Sequence, residues 1–184
     1  RDQIGAIVGS QPFGGEGLSG TGPKAGGPHY LPRFAAASAI ISDIEWDQEA
    51  DIKVLTKQLM TASTQISQAP TDLPGPTGES NRHSTHPRGP ILCMGPGKAT
   101  ADAQAAAVAA LGGVAVTCDG RLTADTLVDL PVAGVIWWGD ALAGRAFETA
   151  LSQRSGPITA LISGMPDTAH VLHERHVCID TTAA

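Results

Sequence analysis

The spacing of apolar side chains divides this chain into two unlike halves. In the second half, short apolar runs alternate with helical stretches. Residues 91–94 (Ile-Leu-Cys-Met) predict a strand, after which Gly95-Pro96-Gly97 turns the chain. Residues 100–111 predict an alanine-rich helix with Thr100 as its N-cap, stopped by Gly112-Gly113. Further strands are expected at 114–117, 134–138, 158–162 and 177–179. Between them fall a helical turn after Thr123 and helices over 141–152 and 167–174. Short apolar strands separated by helical patterns predict right-handed βαβ units around a parallel sheet buried on both faces. The fold class is therefore α/β, with a small Rossmann-like parallel-sheet domain over residues 90–184.

The first half lacks this rhythm. Residues 4–8 predict a short buried strand, followed by glycine at 9, 14, 15, 17, 20, 22, 26 and 27. That density rules out regular structure and calls for backbone with positive φ or close packing. Flexible linkers are rich in Gly and Ser without large side chains. This stretch instead carries Pro12, Phe13, Leu18, Tyr30, Leu31 and Phe34, so an ordered loop pressed on a larger body is expected. Residues 35–45, with Ala39-Ile40-Ile41 and Ile44, are compatible with an edge strand. A helix is predicted from Asp47 to about Ser67, because Ile52, Leu55, Leu59, Ala62 and Ile66 form one apolar stripe. Asp47, Glu49 and Asp51 would sit in its first turns, where the helix dipole favours anions. Pro70, Pro74, Pro76, Pro87 and Pro90 then mark residues 69–89 as a linker. The expected organisation is 1–45 as the end of one domain, a helix over 46–68, the linker, and the layer domain.

Composition narrows the functional classes. Apolar residues make up 42% of the chain, which is normal for a globular protein. A net charge of -6 removes any electrostatic case for nucleic acid or an anionic membrane surface. No run approaches the ~18 apolar residues that a membrane-spanning helix needs. The chain opens on Arg1-Asp2-Gln3 with neither a signal peptide nor an initiator Met, read as trimming or as a missing preceding part. Cys93, Cys118 and Cys178 are widely spaced and odd in number, which fits reduced, buried thiols better than disulfides.

Few residues offer chemistry of their own. The turn at residues 95–100 follows a strand and opens a helix, where a dinucleotide's pyrophosphate would bind, and Asp119 ends the next strand, where an acid could hold a ribose. Thr100 replaces the third glycine of that fingerprint, and Pro96 removes a backbone donor. The leading reading is a turn that keeps the nucleotide-fold shape without the ligand. His170, His173 and His176 are spaced by three with Cys178 nearby, but the expected helix ends before His176, so no metal site is predicted. His83 and His86 are expected to be solvated in the linker. Trp137 and Trp138, consecutive in a strand, should point to opposite sheet faces. No Ser-His-Asp set, activated cysteine or paired carboxylates can be argued from spacing, and Cys93 and Cys178 are expected to be inert within apolar strands.

The opening residues carry a sharper signal. Ile4-Gly5-Ala6-Ile7-Val8-Gly9, Pro12-Phe13-Gly14-Gly15 and the run Gly17-Leu18-Ser19-Gly20-Thr21-Gly22-Pro23-Lys24-Ala25-Gly26-Gly27-Pro28-His29-Tyr30-Leu31 closely resemble the C-terminal signature of the aldehyde dehydrogenase superfamily. More narrowly, they resemble its L-glutamate γ-semialdehyde dehydrogenase branch as found in bifunctional proline utilization A proteins. Asp167-Thr168-Ala169-His170-Val171-Leu172 and the run from Glu174 through Arg175-His176-Val177-Cys178-Ile179-Asp180-Thr181-Thr182-Ala183 to Ala184 resemble the close of the longer members. The family tail runs on further, so the chain reads as cut at both ends.

The resemblance implies an aldehyde dehydrogenase catalytic domain that ends within residues 1–45, followed by a non-catalytic Rossmann-like domain that stabilises the fold and helps lid a cavity joining two active sites. FAD would serve proline oxidation and NAD the oxidation of glutamate semialdehyde, both bound in the parent ahead of Arg1, with the nucleophilic cysteine there too. No cofactor or metal site is expected here. The resemblance also implies that Gly5-Ala6 anchors the substrate carboxylate through backbone N–H groups and that Phe13 packs on its aliphatic chain. The rest of the parent chain is the expected partner, homo-oligomerisation is allowed for, and the parent is expected in the cytoplasm, with peripheral attachment to the inner membrane open. Two rival readings are an autonomous nucleotide-binding module and an oligomerisation element.

Overall fold

The computed structural model describes residues 5–20, 22–35, 37–63 and 69–181. In chain order the elements are α1 (Ile52–Thr61), β1 (Thr71–Leu73), β2 (Glu79–Pro87), β3 (Ile91–Cys93), α2 (Lys98–Ala110), β4 (Ala115–Thr117), β5 (Gly134–Ile136), α3 (Ala141–Ser152), β6 (Ala160–Ile162), α4 (Thr168–Val171) and β7 (Leu172–Asp180). Four of the strands form a parallel sheet in the order β4-β3-β5-β6, and the other three form an antiparallel sheet in the order β1-β2-β7.

The parallel sheet follows from the apolar runs. Along β3 and the residue after it, Leu92 and Met94 enter one core cluster while Ile91 and Cys93 enter another, so both faces are covered. On the first face lie Leu55 and Leu59 of α1 and Phe147 and Leu151 of α3. On the second, Val108 of α2 packs with Ile136, Trp138 and Ile162. The two tryptophans divide as strand alternation requires. Trp137 stacks edge-on against Phe147, and buried Trp138 donates its indole N–H to the Gly164 carbonyl at 2.9 Å.

Several boundaries differ from expectation, each for a local reason. Asp51 caps α1 by accepting the amides of Lys53 and Val54, so the helix starts after Asp47 and Glu49 rather than on them. The stripe's Leu55 and Leu59 are buried; Ile66 lies outside the described residues. Helix α2 begins at Lys98 with Gly97, not Thr100, as its N-cap. Residues 4–8 form no strand where described: Ile7 and Gln11 make an isolated bridge that closes a turn. Residues 37–45 carry no strand either, although the Ile40 and Ser42 amides donate to the carbonyls of Ser163 and Trp138.

The largest correction concerns residues 69–89. They form no plain linker: Glu79–Pro87 is a nine-residue strand paired throughout with β7, from Glu79 opposite Asp180 to Pro87 opposite Leu172. The buried face of β2 is polar, carrying Asn81, His83 and Thr85, so hydropathy gave no sign of it. The same ladder shortens the expected helix over 167–174 to Thr168–Val171. A capping box between Asp167 and His170 starts that turn, and backbone pairing with β2 takes the chain from Leu172 onward.

Candidate functional site

The glycine-dense loop folds on itself in two layers. Ile7 and Gln11 exchange backbone hydrogen bonds at 2.9 and 3.1 Å, and Phe13 and Ala25 exchange two more at 3.0 and 2.8 Å. Between these clasps the Gly9 amide donates to the Gly26 carbonyl at 3.0 Å. Gly26 has φ +73, and a Cβ there would stand 3.2 Å from Val8 Cα, so the returning limb needs glycine to lie this close. Residues 5–13 thus form an outer limb resting on an inner limb at 24–26. Gly5, with φ +116, is exposed, as are Ala6 and the Phe13 ring, which is 60% accessible. All three predicted site residues are therefore exposed along one limb. Phe13 is thus an exposed aromatic on a doubly clasped backbone and not a piece of this core.

The antiparallel sheet holds the loop from behind. Gln11 donates through Nε2 to Glu79 Oε1 at 2.9 Å and contacts Cys178 Sγ at 3.3 Å. The Lys24 amide donates to Glu174 Oε2 at 2.7 Å, and His83 Nε2 meets Glu174 Oε1 at 2.9 Å. Arg88 donates to the carbonyls of Gly20 and Ala169, and Arg33 bonds His170 at 2.6 Å. Burial works to raise the Glu174 carboxyl, but the bonds from His83 and the Lys24 amide outweigh it and hold the group below the usual glutamate value. Asp167 follows the same balance: burial opposes, the His170 contacts win, and its carboxyl falls to about 2.

The histidines do not converge. His170 belongs to α4, while His173 and His176 lie on β7 opposite His86 and His83. Burial, then the neighbouring Arg88 or His83, lowers His173 and His176 below the ordinary imidazole value. Contrary to expectation, His83 is buried and paired, not solvated. Among the described residues, no three His, Cys, Asp or Glu side chains gather as a metal would require. Burial pushes the Cys93 and Cys118 thiols up to about 12 and about 11, whereas Cys178 is exposed, which corrects its expected place inside an apolar strand.

The turn at residues 95–100 sits where the strand order reverses. From β3 the chain passes to β4 on one side and then to β5 on the other, and a cleft of about 570 Å³ opens at the carboxyl ends of these strands. Nucleotides bind at such switch points. Here the chain's own residues 42–46 cross the site. Ile44 Cγ2 lies 2.3 Å from where a Gly97 Cβ would be, Ser42 Oγ meets Thr100 Oγ1 at 3.2 Å, and the Trp46 indole donates to the Met94 carbonyl. Wholly buried Gln104 binds both the amide and the carbonyl of Gly95 at 2.9 and 2.8 Å. The Asp119 carbonyl accepts from Gln48. These residues do not fit a dinucleotide: the Ile44 side chain rests against Gly97 where the pyrophosphate would approach, and the Gly95 amide and carbonyl are already taken by Gln104.

No protein-family model matches the chain. Human mitochondrial delta-1-pyrroline-5-carboxylate dehydrogenase is 56% identical over 36 residues, covering 20% of this chain and 6% of that protein. The two sheets make the chain α/β, and this match is consistent with an aldehyde-dehydrogenase-type domain. Over most of its length the chain is similar to the bifunctional protein PutA of Salmonella typhimurium, 34% identical over 221 residues and covering 95% of this chain. The protein of that name from Escherichia coli K12 is equally similar over the same share. The chain belongs to this PutA family. It spans 17% of the length of these curated relatives.

The sequence found the exposed loop residues through resemblance but missed their support. Glu174 and His83 could have been suspected only from the polar alternation Asn81, His83, Thr85, which marks a strand whose inner face is hydrogen-bonded rather than greasy.

Proposed function

We propose that this chain is the C-terminal part of a bifunctional proline-catabolic enzyme and supplies one wall of its glutamate-semialdehyde pocket. The parent oxidises proline, the pyrroline product hydrolyses to the semialdehyde, and a second site oxidises that aldehyde to glutamate. Flavin and nicotinamide supply the two oxidations when bound, outside these residues, and the reactive thiol lies elsewhere in the parent. The substrate carboxylate is held by backbone N–H groups at Gly5 and Ala6, where the absence of bulky side chains lets an anion approach main-chain donors. The Phe13 ring packs against the aliphatic chain and excludes water from it.

The observation that carries this reading is the Phe13 ring, 60% exposed on a backbone bound at both its amide and its carbonyl to Ala25. In the full-length enzyme, Phe13→Ala is expected to raise KM for glutamate semialdehyde about tenfold through lost apolar contact, with KM for NAD unchanged. An unchanged aldehyde KM in steady-state assays contradicts the assignment.

The α/β unit is then a non-catalytic support and lid, with the rest of the parent chain as its partner. Residues 42–46 lying across the switch point favour this over an autonomous nucleotide-binding module. No helix among the described residues is long and apolar enough to cross a membrane. A cytoplasmic parent, assembled as a homo-oligomer or peripherally attached to the inner membrane, is compatible with this role.

A further inference from the structure

Glu174 is a carboxylate in an unusual place. It lies on β7 with a side chain only 2% accessible, in a sheet whose strands are joined by backbone bonds. A buried carboxylate costs stability unless its oxygens are well bonded. Here one oxygen takes the His83 ring nitrogen at 2.9 Å and the other takes the Lys24 amide at 2.7 Å. The second bond leaves the sheet altogether and reaches across 150 residues of sequence to the inner limb of the N-terminal loop. The limb also passes close to the carboxylate just beyond Lys24, since a Cβ on Gly27 would stand 3.1 Å from Glu174 Oε1.

That inner limb is what the outer limb stands on. One residue beyond Lys24, Ala25 exchanges both backbone bonds with Phe13. One further, Gly26 accepts the Gly9 amide, and its Cβ position lies 3.4 Å from the Ala6 Cβ. Lys24 Nζ also reaches the Gly14 carbonyl at 2.9 Å. A shift of residues 24–26 therefore moves Ala6 and Phe13 together. We infer that Glu174 is a positioning residue for the semialdehyde site: its buried carboxylate, oriented by His83, fixes the Lys24 amide and through it the height of Ala6 and Phe13. The inference rests on the reading of residues 5–13 as the substrate loop. Charge-assisted bonds to a backbone amide are short and directional, so they suit the fixing of a limb.

The test uses Glu174→Ala and Glu174→Gln in the full-length enzyme, with Phe13→Ala assayed beside them. Glu174→Ala removes the acceptor of the Lys24 amide and is expected to raise KM for glutamate semialdehyde about tenfold. Turnover changes less than about threefold and KM for NAD stays put, because the reacting groups are not displaced. Glu174→Gln keeps a carbonyl oxygen for the Lys24 amide and restores most of the affinity. Should Glu174→Ala fail to fold, Glu174→Asp, one methylene short of Lys24, supplies the same readout, with a smaller rise in KM expected. An aldehyde KM unmoved by Glu174→Ala or by Glu174→Asp, with Phe13→Ala still raising it, overturns the positioning role alone. A Phe13→Ala enzyme with normal KM sinks the loop assignment and this inference with it. A Glu174→Ala enzyme that loses turnover and NAD affinity alike, unrescued by Gln, shows a merely structural residue and also overturns the proposal.

Discussion

Truncating Leu55 to alanine lowers the stability of the folded chain by about 3 kcal/mol, within the range measured for fully buried leucines. Helix α1 is attached through few side chains: of its ten residues, only Leu55 and Leu59 are buried, at 1% and 2% accessibility. Both enter the cluster built around Leu92, Met94, Val116 and Phe147. Removing the isopropyl group leaves a cavity between the helix and the sheet that rigid strands on the far side cannot close. Ile52 supplies the internal control. It belongs to the same stripe but is 37% exposed, so Ile52→Ala is expected to cost less than about 1 kcal/mol. Denaturant unfolding of the two variants distinguishes them; equal losses would mean that α1 does not dock on this face.

Replacing Gln104 with leucine removes about 2 kcal/mol, the cost of leaving a buried backbone donor unpaired. Gln104 is wholly inaccessible, and its side-chain amide closes the turn at both the N–H and the C=O of Gly95. The Gly95 carbonyl keeps a second partner in the Trp138 amide, so the orphaned group is the Gly95 N–H. Leucine has similar bulk and leaves little void, which isolates the hydrogen-bond term. Gln104→Glu should be worse at neutral pH, because it buries a charge where only a neutral amide can satisfy both Gly95 groups. If the glutamate variant proved the more stable of the two in the same unfolding assay, the clamp would not be what holds this turn.

That turn also shows what the sequence could and could not say. Strand β3, the helix after it and the glycine turn between them were legible, because a strand buried on both faces reads as an unbroken apolar run. What crosses the turn was not. Residues 42–46 come from a stretch whose Ile41 and Ile44 promised an edge strand, yet Ile44 settles on Gly97 and Trp46 reaches the Met94 carbonyl. No local pattern marks a segment that lies on a distant glycine. The antiparallel sheet was hidden for a different reason. Its inner positions, Asn81, His83, Thr85 and Glu174, are polar; His83 pairs with Glu174, which also takes the loop's Lys24 amide, and Asn81 bonds Pro74, Glu79 and His176, so neither hydropathy nor proline counting could find a strand there. His173 misled in the same way: three residues after His170 it was expected on the same helix, whereas ladder pairing with β2 sets it on a strand. Gly5, Ala6 and Phe13 were reached only through a motif, since nothing in spacing alone singles out residues of an exposed glycine loop. The structure adds the mechanical part, an outer limb clasped to an inner one and tied back to half-buried Glu79 and buried Glu174.

The most direct test is a crystal structure of the full-length enzyme with glutamate, the expected product, bound in the aldehyde site. Its side chain should lie along the Phe13 ring, and its backbone-side carboxylate should fall within hydrogen-bond distance of main-chain N–H groups at Gly5 and Ala6. Glutamate seated without touching residues 5–13 would contradict the assignment of this loop and leave the α/β unit without its proposed purpose.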